Sequence, residues 1–150
     1  MIKLIRIGII FALGVALSPS LGFAGSLKTQ GVFGPYWLCD SIQRQADWTN
    51  SVGTTIFIKK MVIWLDLDIG GKSEINATIY RSSDSSVVGF ADWNHYAEPT
   101  TLHQVFFDYS PDFFVLASGD NLRLFYSCTN DANNPHGQVS VLIMYTTGAP

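Results

Sequence analysis

The stretch Thr54–Asp68, TTIFIKKMVIWLDLD, decides the fold class because its apolar residues recur at every second position. One set is apolar, consisting of Met61, Ile63, Leu65 and Leu67, and the alternate set is Trp64, Asp66 and Asp68. Successive side chains of a strand point to opposite faces of the sheet. This period of two therefore predicts a strand with one buried side.

Further segments downstream combine β-branched, aromatic and alternating apolar residues, and Gly, Pro, Asn, Asp or Ser residues separate them. These segments are residues 74–81, 87–93, 101–109, 113–117, 122–128 and 138–146. Upstream, Asp40–Trp48 favours a helical turn with Asp40 as its N-cap. The remaining pattern contains no convincing helix longer than two turns, so we expect an all-β chain.

Short strands joined by short turns predict an antiparallel β-sandwich. The chain length suits the eight strands of a jelly roll, which is the topology we expect. An immunoglobulin-like Greek key is the competing topology, but its cysteines would lie closer together in the sequence, on two facing strands.

The N-terminal residues have the pattern of an export signal. Lys3 and Arg6 precede an apolar run over residues 7–17, and small residues follow it. The run is short for a bilayer span, and no second apolar run follows. We therefore predict a signal peptide over residues 1–24 and a single domain over residues 25–150. The domain would be secreted or periplasmic and would have no integral membrane segment.

The two cysteines, Cys39 and Cys128, are expected to form a disulfide, because an even cysteine count in an exported chain indicates pairing. Their wide spacing differs from that of a metal knuckle or a redox CxxC motif. The bond would attach the N-terminal part of the domain to a strand near its end.

The chain carries a formal net charge of −3 and no long run of basic residues. Binding to nucleic acid or to anionic lipid requires a basic surface. The composition therefore argues against nucleic acid as a partner.

Recognisable catalytic motifs are missing from the sequence. It contains neither GxSxG nor HExxH, and it has no glycine-rich phosphate loop. Asp92, Asn94, His95 and His103 form the densest polar cluster, but their spacing differs from that of a zinc site. We therefore expect no enzymatic activity, no metal and no cofactor.

Aromatic rings beside amides and carboxylates suggest where a ligand would bind, since such rings stack on the flat faces of sugars. The first candidate site is the group Trp93, Asn94, His95 and Tyr96, and the second is the patch Trp64, Asp66 and Asp68.

These features lead to two functional hypotheses. The first is a non-catalytic binding module for a carbohydrate or a cell-surface protein. The second is a structural or assembly protein that acts through protein–protein contacts, as a homo-oligomer or in an adhesin-like role. The second rests on Gln138–Thr146, which is apolar on both faces and is therefore either central in the sandwich or covered by a partner.

Overall fold

The computed structural model describes residues 26–67, 73–94, 102–130 and 136–148, so the predicted signal peptide lies outside the described residues. Every strand pair is antiparallel. The strands are β1 (Lys28–Phe33), β2 (Tyr36–Leu38), β3 (Arg44–Thr49), β4 (Ile56–Leu67), β5 (Ser73–Arg81), β6 (Val87–Asn94), β7 (Leu102–Asp108), β8 (Phe114–Leu116), β9 (Asn121–Asn130) and β10 (His136–Thr146).

The strands form two sheets. Sheet A has six strands in the order β1-β10-β4-β7, with β2 also paired to β10 and β8 to β4. Sheet B has four strands in the order β3-β9-β5-β6. Strands β1 and β2 pair with successive parts of β10, and β7 and β8 pair with successive parts of β4. Each of these two pairs of short strands therefore occupies one edge of sheet A, which is four strands wide. The chain then passes between the sheets in jelly-roll order, which confirms the predicted fold class.

The core lies between the two sheets and is built from the alternating apolar positions. The fully buried members include Met61, Ile63, Leu65, Ile75, Ile79, Leu122, Leu124 and Ile143. Burial of one such side chain contributes roughly 1.5–3 kcal/mol relative to its exposure. The alternation predicted for β5 and β9 is confirmed, because the intervening side chains of these strands are more exposed. In β4 it is confirmed for Trp64 and Asp66, whereas Val62 is buried although it points away from the core.

Two features let the two sheets pack closely where β6 faces β7. A side chain at Gly89 would place its Cβ 3.1 Å from Met61 Sδ, so glycine allows β6 to lie close to sheet A. The hydroxyl of Tyr109, which follows β7, donates a 2.6 Å hydrogen bond to the carbonyl oxygen of Val88 in β6. Burial raises the pKa of Tyr109.

The Cys39–Cys128 disulfide is present, as predicted, and joins the residue after β2 to strand β9. The two Cα atoms are 4.6 Å apart, and the Ser41 amide donates a 2.9 Å hydrogen bond to the carbonyl oxygen of Cys128. The cysteines are 89 residues apart. A cross-link of that span contributes about 4–5 kcal/mol in the chain-entropy model. The disulfide is consistent with a compartment outside the cytoplasm, where such bonds persist.

The helical turn predicted over Asp40–Trp48 is wrong, because Arg44–Thr49 forms strand β3 and pairs with β9. Asp40 acts locally instead, with its carboxylate accepting a hydrogen bond from the Ile42 amide at 3.1 Å. The same carboxylate accepts two hydrogen bonds from the Arg44 guanidinium, at 2.7 and 2.6 Å. Pairing with β9 outweighs the local capping preference.

The Asp40–Arg44 pair makes stability depend on pH. The hydrogen bonds from Arg44 lower the pKa of Asp40 from its ordinary 3.8 to about 2. Because the pKa is lower in the folded state, the pair's contribution is fully present above pH 3.8 and is lost as the pH falls through about 2. We expect Asp40→Asn to unfold at a lower temperature than wild type at pH 6, with a difference that narrows in acid. Thermal unfolding followed by circular dichroism measures this.

Asp112→Asn, a change in the exposed turn before β8, is the matched control and should keep the wild-type dependence on pH. If the unfolding temperatures of Asp40→Asn and wild type differ by the same amount at every acidic pH, the Asp40–Arg44 pair does not contribute to the pH dependence of stability.

Candidate functional site

The first predicted site centres on Trp93, and its indole lies in the core rather than on the surface. The side chain is 1% exposed. It stacks on the His103 ring of β7, with the centroids 5.9 Å apart and the planes at 12°. The expectation of an exposed ring is therefore wrong for Trp93. Trp93 belongs to strand β6 as predicted, but it shares the inward row with Ala91, whereas Asp92 and Asn94 point outward.

The other members of this group do not form a described cluster. Asn94 is exposed, and its side-chain amide donates a 2.9 Å hydrogen bond to a carboxylate oxygen of Glu74. His95 and Tyr96 lie outside the described residues. Ligand binding at this end of the sandwich remains a prediction, and the Trp93 ring is not accessible for stacking.

The second predicted patch lies on the outer face of β4. Trp64 is half-buried and Asp66 is exposed, and both alternate with core residues as predicted. Asp68 lies outside the described residues. The described part of this patch thus faces away from the core, and its surroundings are set by the neighbouring strands β7 and β10.

Those neighbours place Ser140 and Gln104 directly beside Trp64, and apolar side chains beside Val62, the next outward residue of β4. The register pairs Val62 with Leu142 of β10 on one side and with Phe106 of β7 on the other. Met144 lies two positions further along β10 and is half-buried, as Leu142 is. We call this group the apolar face of sheet A; it consists of Val62, Trp64, Phe106, Leu142 and Met144.

The apolar face is both contiguous and accessible. Phe106 is 68% exposed, whereas Val62 is only 4% exposed although it points away from the core. Val62 is therefore covered by its outward-facing neighbours. A hollow of about 430 Å³ lies here, and its lining includes Val62, Phe106 and Met144.

Charges lie at both ends of this face along β4. Lys60 Nζ lies 3.4 Å from a carboxylate oxygen of Asp108, and both residues line the hollow. Hydrogen bonds from the amide and hydroxyl of Ser110, together with Lys60, lower the pKa of Asp108. At the opposite end, Asp66 is exposed. The face thus has the Lys60–Asp108 ion pair on one side of its apolar centre and the exposed carboxylate of Asp66 on the other.

The pattern of Gln138–Thr146 indicates part of this face, because its second apolar row contains Leu142 and Met144. Val62 and Phe106 were missed because each was assigned only to a strand. Their meeting depends on the register between β4 and β7, and no local pattern in the sequence specifies that pairing.

Among the described residues, no group of three or more His, Cys, Asp and Glu side chains is placed to hold a metal ion. None of the described residues belongs to a helix with the length and apolar character that crossing a membrane requires.

Comparison with family models and with curated proteins finds no match. Among solved structures, dimeric latent PorU from Porphyromonas gingivalis has a TM-score of 0.47 and 7% identity, covering 81% of this chain and 13% of that one. The VLP of extra small virus from the giant freshwater prawn Macrobrachium rosenbergii has a TM-score of 0.39 and 11% identity, covering 100% and 97%. The VP2 subviral particle of infectious bursal disease virus has a TM-score of 0.38 and 11% identity, covering 83% and 33%.

The chain therefore spans less than two thirds of the PorU and VP2 chains, and likeness at these identities concerns the fold alone. The class that the structure itself defines is a jelly-roll β-sandwich with a disulfide between its N-terminal segment and β9. Its described outer surface carries an apolar cluster on sheet A.

The burial of Trp93 predicts a large loss of stability on truncation. We expect Trp93→Ala to lower the free energy of unfolding by about 3–5 kcal/mol, because it removes a buried aromatic ring and leaves a cavity. Asn94→Ala, at the exposed next position, should change stability by only about 0.5 kcal/mol. Urea denaturation of the three proteins measures both values, and a Trp93→Ala variant as stable as wild type would contradict the packing described above.

Proposed function

We propose that this chain is a non-catalytic assembly domain that binds a second copy of itself through the apolar face of sheet A. The observation that carries the proposal is the contiguous apolar cluster on the outside of the sandwich. The outer surface of a sheet that contacts only water normally carries polar residues, and an accessible apolar patch is typical of an interaction site.

The charge pattern of β4 favours a second copy as the occupant. Lys60 and Asp66 are each three residues from position 63, on opposite sides of it, and both point outward. Consider a two-fold axis that lies between two apolar faces, parallel to the sheets and perpendicular to β4 at position 63. This axis stacks two copies face to face. Lys60 of one copy then lies against Asp66 of the partner subunit, and the reverse pair forms at the other end.

The shape of the face supports the same arrangement. The axis at position 63 also exchanges Val62 and Trp64, so Trp64 of one copy lies over Val62 of the partner subunit. Val62 lines the hollow of about 430 Å³ beside Phe106 and Met144. A large ring over this hollow would fill it and remove apolar surface from water, which is the dominant favourable term in association.

The same proposal places the domain outside the cytoplasm, since the predicted export signal and the Cys39–Cys128 disulfide agree on the compartment. It also agrees with the second hypothesis from the sequence, that of a structural or assembly protein. Carbohydrate binding at the Trp93 group has less support, because its argument required an exposed Trp93 ring. If the apolar face binds a different surface protein instead of a second copy, the wild-type chain stays monomeric in the test below.

A charge placed in the face should prevent self-association. We expect Phe106→Asp to remain folded, since Phe106 is 68% exposed, and to weaken dimer formation by about tenfold or more. Phe90→Asp is the matched control, because Phe90 is 60% exposed but lies on sheet B. Sedimentation velocity over a range of concentrations, with circular dichroism as the test of folding, measures the effect.

Charge reversal tests the orientation within the same experiment. Lys60→Asp and Asp66→Lys should each weaken the dimer, and the double variant should restore it, because the opposite charges meet again across the axis. A wild-type protein that stays monomeric at high concentration would contradict self-assembly. In that case the apolar face would bind a different protein or take part in no interaction.

A further inference from the structure

A second surface lies on the outer face of sheet B, on the opposite side of the sandwich from the apolar face. It contains a groove of about 260 Å³ whose lining includes Gln43, Asn76, Thr78, Tyr80, Phe125 and Ser127. We call it the polar groove. Neither candidate site from the sequence includes any of these residues.

The register of sheet B explains why these side chains gather. Thr78 lies opposite Phe125, and Asn76 lies opposite Ser127, so the outward rows of β5 and β9 form the floor together. Tyr80 is diagonal to Phe125, and the two rings meet edge to face with their centroids 5.7 Å apart and their planes at 78°. Both rings are half-buried, so part of each ring is accessible to a ligand.

The groove's lining side chains are uncharged at neutral pH. Asn76 and Gln43 supply amide donors and acceptors, and the hydroxyl of Thr78 can act as both. The adjacent guanidinium of Arg123 is neutralised by Asp47, with Nε 2.7 Å from a carboxylate oxygen. On the other side, exposed Asp92 pairs with Asn76 across β5 and β6 and would repel an anion.

This combination matches a neutral polyhydroxylated ligand. Aromatic rings pack against flat C–H faces, while amides and hydroxyls hydrogen-bond to ligand hydroxyls. The volume is slightly below the roughly 300–1,000 Å³ of sites for drug-sized ligands, so it suits one or two sugar rings. We propose that the polar groove binds a neutral saccharide. This proposal does not rest on self-assembly, because the two surfaces belong to different sheets.

The test measures binding of the purified chain to cellohexaose, mannohexaose and N-acetylchitohexaose by isothermal titration calorimetry and ligand-observed NMR. We expect at least one of these oligosaccharides to bind. Tyr80→Ala and Asn76→Ala should each weaken that binding by about tenfold, which corresponds to about 1.4 kcal/mol. Phe125→Leu keeps apolar bulk but removes the flat ring, so it tests stacking even if a smaller residue destabilises the sheet.

Val115→Ala is the matched control, because Val115 is an exposed apolar residue of β8 in sheet A and does not line the groove. It should bind as wild type does. The proposal is overturned if none of the three oligosaccharides binds, or if the Tyr80, Asn76 and Phe125 variants bind as tightly as wild type. Phe106→Asp should leave saccharide binding unchanged, which separates this result from that of the assembly experiment.

Discussion

The pairing of β4 with β10 is the constraint on which the other features of this sandwich depend. The two strands run side by side at the centre of sheet A, in register from Phe57↔Thr146 to Leu67↔Gly137, apart from one bulge. Their inward rows supply buried residues such as Ile63 and Ile143 to the core. A slip of one residue would exchange the inward and outward rows, so burial of the inner row fixes the outer row as well. The apolar face is thus a consequence of the same register that builds the core.

The sequence predicted the strands of the second half of the domain because their alternation is long and regular. Segments such as residues 74–81 and 122–128 match β5 and β9 to within a few residues. Strands β1, β2 and β3 were missed because their sequences show no clear apolar alternation. The polar residues of Arg44–Thr49 also resemble a capped helical turn. Their strand conformation comes from partners distant in sequence, β10 and β9, and such pairing leaves little local signal.

The candidate sites show the same limit. Periodicity correctly placed Trp64 and Asp66 on the outer face of β4, because the alternation around them is clear. It did not by itself place Trp93, because the inward row that Trp93 shares with Ala91 becomes clear only once β6 is packed against sheet A. Nor could it show that Val62 meets Phe106 or that Thr78 meets Phe125, because both contacts depend on strand pairing. Both proposed surfaces therefore come from cross-strand register rather than from motifs.

The most direct test of the assembly proposal is zero-length carbodiimide cross-linking of concentrated protein, followed by mass spectrometry. Lys60 and Asp66 are about 20 Å apart along one strand, too far for a bond within one chain. The proposed two-fold arrangement predicts a cross-linked dimer that contains a Lys60–Asp66 amide. The Lys60–Asp108 pair, at 3.4 Å, is the internal positive control. Recovery of the Lys60–Asp108 product without any Lys60–Asp66 product, at concentrations where the protein is dimeric, would contradict the arrangement.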